Sequence, residues 1–85
     1  MRLDKYLKVS RIIKRRTVAS EAAGAGRVSI NGKVAKPSVE VSVGDTLDLL
    51  LGGKHLLVRV ESLKESVHKE DASTMYTVLS GDELR

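Results

Sequence analysis

Arg2, Lys5 and Lys8 recur at every third residue, Arg11, Lys14, Arg15 and Arg16 follow in a dense run, and Arg27, Lys33 and Lys36 complete a cationic opening segment. The chemistry available to such groups is charge neutralisation. A guanidinium makes paired hydrogen bonds to phosphate oxygens, and an ammonium acts as a point charge. Residues 1–36 carry ten basic side chains against two acidic ones, Asp4 and Glu21, a net of +8; residues 37–85 carry five against nine, a net of −4. The formal total of +4 therefore conceals a polarised molecule. A positive field concentrated on one part of a small domain is the electrostatic footprint of a polyanion binder. A merely solvated face is the blander explanation, and ten cations against two anions suit it poorly. Arg27 and Lys36 fit either description, as contacts or as ordinary exposed strand cations.

Asp4 stands out within so basic a segment. A carboxylate in the first turn of a helix offsets the helix dipole by about 0.3–1 kcal/mol. Alternatively it orients Lys8, four residues on, or an arginine of the 11–16 run. Both readings stay open on the sequence.

Catalysis finds little material. There is no cysteine, so disulfides, thiol catalysis and cysteine zinc sites are excluded. His55 and His68 are isolated, which suits structural roles better than metal ligation. Glu65, Glu70 and Asp71 read as a solvated acidic loop, and Asp45 beside Gly44 as a turn carboxylate that can accept from nearby amides. Neither a phosphate-cradling glycine motif nor a nucleophile–base pair is visible, and no cofactor is expected. With two tyrosines and no Phe or Trp, the chain cannot build the aromatic platform that stacks single-stranded bases at about 1–3 kcal/mol each. Tyr6 and Tyr76 sit among apolar neighbours that suggest core. Binding that leans on phosphates and shape favours structured RNA or duplex over sequence-specific reading of loose strands.

The elements that must position these side chains follow from periodicity. Leu3, Tyr6 and Leu7 give Met1 to Val9 one apolar helical face, with Arg2, Lys5 and Lys8 on another. Ile12 and Ile13 tuck inward between the charges of the basic run. Thr17 can cap a second helix with a small-residue face at Ala19, Ala22 and Ala23, which Gly24 and Gly26 end. Asn31-Gly32 between two β-compatible runs is a strong hairpin signal. Val39, Val41 and Val43 alternate, and Gly44-Asp45 turns into Thr46 to Leu51. Gly52-Gly53 turns again into His55 to Val60, Leu63 to Thr74 reads as a loop or short helix, and Met75 to Leu79 as a last strand. The expected class is α+β, with two N-terminal helices packed on a small, mostly antiparallel sheet. At 85 residues one domain is expected, 1–85, with a modest core. No signal-peptide pattern and no apolar run of membrane-spanning length is present, so a cytoplasmic location and no membrane association are expected.

Arg2-Leu3-Asp4-Lys5-Tyr6-Leu7, Ser10-Arg11, Thr17 with Ala19 and Ala22, Gly26-Arg27-Val28-Ser29-Ile30-Asn31-Gly32-Lys33-Val34, Lys36-Pro37-Ser38 and Val43-Gly44-Asp45-Thr46-Leu47 occur in that order. This succession resembles the S4 RNA-binding domain over residues 2 to 50, leaving 51–85 as strands that complete the sheet. The basic run through Thr17, and the end from Lys69-Glu70-Asp71-Ala72 to Met75-Tyr76-Thr77-Val78-Leu79, are similar to the family's ribosome-associated quality-control branch. A heat-shock ribosome-binding branch is a further relative. The resemblance implies a non-catalytic binder of large-subunit ribosomal RNA and peptidyl-tRNA. Such a factor supports alanine tailing of stalled chains by a partner that delivers alanyl-tRNA. RNA contacts are then expected from Arg2, Lys5, Lys8, Arg11, Lys14, Arg15, Arg16, Arg27, Lys33 and Lys36, with Asp4 orienting and the chain a monomer. S4 domains also accompany pseudouridine synthases and tRNA synthetases, but 85 residues leave no room for those catalytic domains. Ala23-Gly24-Ala25-Gly26 is smaller than is common in the family, which implies a looser end to the second helix. Two other readings remain: a heat-shock-type factor that recognises freed large subunits, and an adaptor whose basic face docks an acidic protein. The acidic second half either keeps the outer sheet face soluble or docks a partner through Glu61, Glu65, Glu70, Asp71, Asp82 and Glu83.

Overall fold

The computed structural model describes residues 1–65 and 68–81; Asp82 and Glu83 of the acidic set lie outside it. Helix α1 spans Leu3–Val9, and the apolar face of Leu3, Tyr6 and Leu7 is fully buried. Its start differs from the expected Met1. Arg2 has extended backbone and forms an antiparallel bridge with Glu40, while the Val41 amide donates to the Met1 carbonyl at 2.9 Å. The same strip caps the helix, because the Leu3 and Asp4 amides donate to the carbonyls of Val39 and Pro37 at 2.8 and 3.1 Å. These are first-turn donors that have no partner within a helix. Val39, Val41 and Val43 consequently do not form the strand their alternation suggests: Val41 is buried, and Val39 and Val43 are exposed.

Helix α2 spans Arg16–Gly24, and Ala19, Ala22 and Ala23 are buried against the core. Thr17 is not its cap; the N-cap position belongs to Arg15, with no side-chain cap hydrogen bond. The far end is closed. The Arg27 amide reaches the Ala22 carbonyl at 3.0 Å, and the Gly26 amide the Ala23 carbonyl at 3.1 Å. With Gly26 at φ +79° this is a Schellman motif, so the small residues give a hydrogen-bonded stop, not a loose one.

Five strands follow: β1 Val28–Ile30, β2 Lys33–Val34, β3 Thr46–Leu51, β4 Lys54–Val60 and β5 Tyr76–Gly81. They form one sheet in the order β2-β1-β3-β4-β5, with every neighbouring pair antiparallel. Asn31 and Gly32, at φ +51° and +85°, make the expected two-residue hairpin turn, which needs positive φ at both positions. Period-two alternation then sorts the sheet. Leu47, Leu49, Leu56, Val58 and Val60 are buried with the helices, while Leu50, His55, Arg59 and Thr77 are exposed. Between β4 and β5 a 3₁₀ segment covers Lys69–Met75. The Met75 carbonyl joins three parts of the chain: it accepts the Tyr6 hydroxyl at 2.7 Å and the amides of Glu61 and Ser62 at 2.8 and 3.2 Å.

Candidate nucleic-acid interface

The cationic side chains are placed by α1, by the bend that follows it, and by the first turn of α2. Asp4 organises this region. Its side chain is only 5% exposed, yet it carries three hydrogen bonds. Oδ1 accepts from the Lys5 amide at 2.8 Å and from Arg16 Nη2 at 3.3 Å, and Oδ2 accepts from Arg2 Nη2 at 3.2 Å. Asp4 thus binds an arginine of the 11–16 run, as one sequence reading held, and it also holds Arg2, which that reading did not foresee. Lys8 is not among its partners. Each guanidinium has five N–H donors and gives one to Asp4, and both arginine side chains remain about half exposed.

Lys8 lies exposed in the last turn of α1, and Lys14 and Arg15 are exposed just before α2. Between them Arg11 adopts φ +62°, with its amide on the Lys8 carbonyl at 3.0 Å. Glycine usually fills such a helix-ending position; an arginine there costs about 1–2 kcal/mol of backbone strain. Ile12 and Ile13 are buried beneath this bend, as expected, and leave the charges outside. Lys36 is exposed immediately before Pro37, whose carbonyl caps α1, so it joins the Arg2 end of the surface. Lys33 is exposed on β2, at the edge of the sheet.

Two of the ten cations stand apart. Arg27 follows the α2 stop and borders an apolar groove with Ile12, Ile13, Val18 and Leu51. Lys5 is half-buried and ion-paired to Glu65 of the acidic half. The hydrogen bond from Lys5, together with its charge, holds the Glu65 carboxyl below the usual carboxylate range. Glu65 is therefore not a free loop acid, and no feature of the sequence pairs it with a residue sixty positions earlier. Glu61 is likewise engaged: Thr77 Oγ1 at 2.6 Å and Arg59 Nε at 3.0 Å donate to its Oε2, and these two bonds lower its pKa. On the outer sheet face His55 pairs with Asp48. No cluster of potential metal ligands occurs among the described residues, and none of their helices is long and apolar enough to cross a membrane.

The hairpin edge is braced by side chains. Asn31 Oδ1 accepts the Thr46 amide at 2.9 Å, Asn31 Nδ2 donates to Asp45 Oδ1 at 3.1 Å, and Asp45 Oδ2 accepts the Ser42 amide at 2.8 Å. The turn role expected of Asp45 is present. Its link to Asn31 needed the fold to become visible.

Comparison with known proteins gives consistent neighbours. The S4 domain family profile matches residues 1–47. A Streptococcus pneumoniae protein named RQC P-site tRNA stabilizing factor is 56% identical over 80 residues, covering 94% of this chain and 91% of its own. A Bacillus subtilis protein of the same name is 54% identical over 84 residues, covering 99% and 98%. Among solved structures, heat shock protein 15 of Vibrio cholerae, described as trimeric, superposes with a TM-score of 0.87 at 30% identity, over 94% of this chain and 82% of that one.

Proposed function

The chain belongs to the S4 domain family, and from that premise we propose that it is a non-catalytic, cytoplasmic RNA-binding protein of the ribosome. Its ligands are ribosomal RNA of the large subunit and the tRNA in the P site, which it steadies during rescue of a stalled nascent chain. The observation that carries RNA binding is the Asp4 clamp. A nearly buried carboxylate holds two arginines from different elements, Arg2 and Arg16, and leaves both guanidiniums half exposed. Such an arrangement presents planar donors at fixed positions, which suits the phosphates of a structured RNA. Lys8, Arg11, Lys14 and Arg15 extend the same surface, with Lys33 and Lys36 at its edge. The tRNA and quality-control part of the reading is supported by the names of relatives that share more than half of this sequence over nearly its whole length.

On this reading the chain acts as a monomer beside a partner that delivers alanyl-tRNA, and it supports template-free addition of alanine tails. The direct test is co-sedimentation with separated ribosomal subunits at low and moderate salt. Selective migration with large subunits, lost on Arg16→Glu, is the expected result; failure to sediment with either subunit at low salt would remove the ribosomal assignment. If about six phosphates are neutralised, log K falls with log salt at a slope of about −5. The heat-shock-type reading is favoured by the superposition on heat shock protein 15. It is separated by assaying alanine tails in cells lacking the protein, since only the quality-control role requires their loss.

A further inference from the structure

The cation nearest the middle of α1 already has an anion beside it. Lys5 Nζ donates to Glu65 Oε2, and the two side chains are 37% and 70% exposed. The approach of Glu65 is built into the fold. The Glu61 and Ser62 amides are fixed on the Met75 carbonyl, which also accepts the Tyr6 hydroxyl, and Leu63 packs against the core. Tyr6 adjoins Lys5 on α1, so the anchor that places the 61–65 segment and the helix that carries Lys5 are one unit.

We infer that Glu65 is an internal competitor for RNA phosphate at Lys5, and so lowers the affinity of the basic surface to a reversible level. The inference rests on the RNA-binding reading above. Two physical facts support it. A phosphate entering hydrogen-bond range of Lys5 must displace the Glu65 carboxylate or lie beside it, and either event cancels part of the gain from that cation. A lysine whose charge is already compensated also releases fewer counterions from RNA, so it adds little to the salt dependence. The direction of the Glu65 pKa agrees, since the Lys5 hydrogen bond and charge lower it and so favour the ionised carboxylate.

The rest of the surface differs in this respect. Arg2 and Arg16 share one buried carboxylate, so the cluster keeps a net positive charge facing outward. The Lys5–Glu65 pair is neutral and lies at the boundary between the basic and acidic halves of the chain. Glu65 therefore sets where the RNA-attracting field ends.

The test is a double-mutant cycle on the full chain, using a fluorescein-labelled RNA hairpin and anisotropy between 50 and 300 mM KCl. Glu65→Gln should bind about three-fold more tightly, the size expected for one exposed ion pair, with a salt slope steeper by roughly 0.9. Lys5→Gln leaves Glu65 uncompensated beside the basic surface and should bind slightly more weakly than the unaltered chain, by less than that three-fold gain, and Lys5→Gln in the Glu65→Gln background should return to the unaltered affinity. Unchanged binding on Glu65→Gln would overturn the inference. So would an equal gain whether or not Lys5 is present, since Glu65 would then repel RNA generally. Failure of the unaltered chain to bind at 50 mM KCl overturns the RNA-binding reading itself, a result distinct from either.

Discussion

Arg16 Nη2 donates to Asp4 Oδ1 at 3.3 Å across the bend between α1 and α2, and this joins the first turns of two helices through a side chain that solvent barely reaches. The joint sets up an expectation opposite in sign to simple electrostatics. Asp4→Ala makes the chain more positive, yet it should weaken RNA binding by about five-fold or more, because Arg2 and Arg16 lose their common anchor. Affinity within two-fold of the unaltered chain, measured by anisotropy on a folded variant, would leave Asp4 as a helix-dipole residue only.

Arg11→Gly separates stability from binding. At φ +62° glycine relieves about 1–2 kcal/mol of strain while adding about 0.5–1 kcal/mol of unfolded-state entropy cost. The variant should therefore be as stable as the unaltered chain or more stable by up to about 1.5 kcal/mol, with an unchanged or higher urea midpoint, and lose RNA affinity. A drop in stability would mean that the Arg11 side chain supports the bend.

Tyr6→Phe removes one of three donors to the Met75 carbonyl and should lower stability by about 0.5–1.5 kcal/mol with the urea m-value unchanged. The pH response carries a definite sign. Burial, then the neighbouring Tyr76 and Glu61, raise the Tyr6 pKa above the ordinary value near 10. The folded state holds this proton more tightly than the unfolded state, so the associated stability is complete below pH 10 and falls as pH rises beyond it. Urea titrations between pH 9 and 11 should show a fall in the unaltered chain that is shallower in Tyr6→Phe.

At the hairpin, Asn31→Gly keeps the positive-φ turn but loses the bonds to Thr46 and Asp45, a cost of about 1 kcal/mol or a little more. Asn31→Ala loses both and should cost about 1 kcal/mol beyond that. Equal thermal midpoints for the two variants would show that the turn conformation contributes nothing separate from the brace.

What could be read along the chain was whatever depended on neighbours in sequence. Asn31-Gly32 specifies its turn by the φ values its own residues tolerate, Gly26 specifies a helix stop, and Leu3, Tyr6 and Leu7 specify a buried face by spacing. Alternation misled at Val39, Val41 and Val43, because period two does not say whether the partner is a strand or the opening turn of a helix. Thr17 misled because capping preference presumes a helix that begins after it, and α2 begins one residue earlier. At the candidate site the cations were legible by type and density. Their partners were less so: an unspecified arginine of the 11–16 run was one reading for Asp4, beside Lys8 and simple helix-dipole compensation, while Glu65 on Lys5 and Asp45 on Asn31 are tertiary pairings that no local pattern encodes.

The hydrogen bond between Tyr6 and Met75 also imposes an order of events on synthesis. The hydroxyl and its acceptor are separated by 69 positions, so α1 leaves the ribosome long before the residues that complete its packing have been added. Contacts of such long sequence separation form late. Until then the Tyr6 hydroxyl, on the helix that carries Lys5 and Lys8, lacks its acceptor. Helix α1 thus gains the acceptor for its one buried hydroxyl only after Met75 has been added, although the Asp4 clamp and the 37–41 strip that cap the helix come from residues made much earlier.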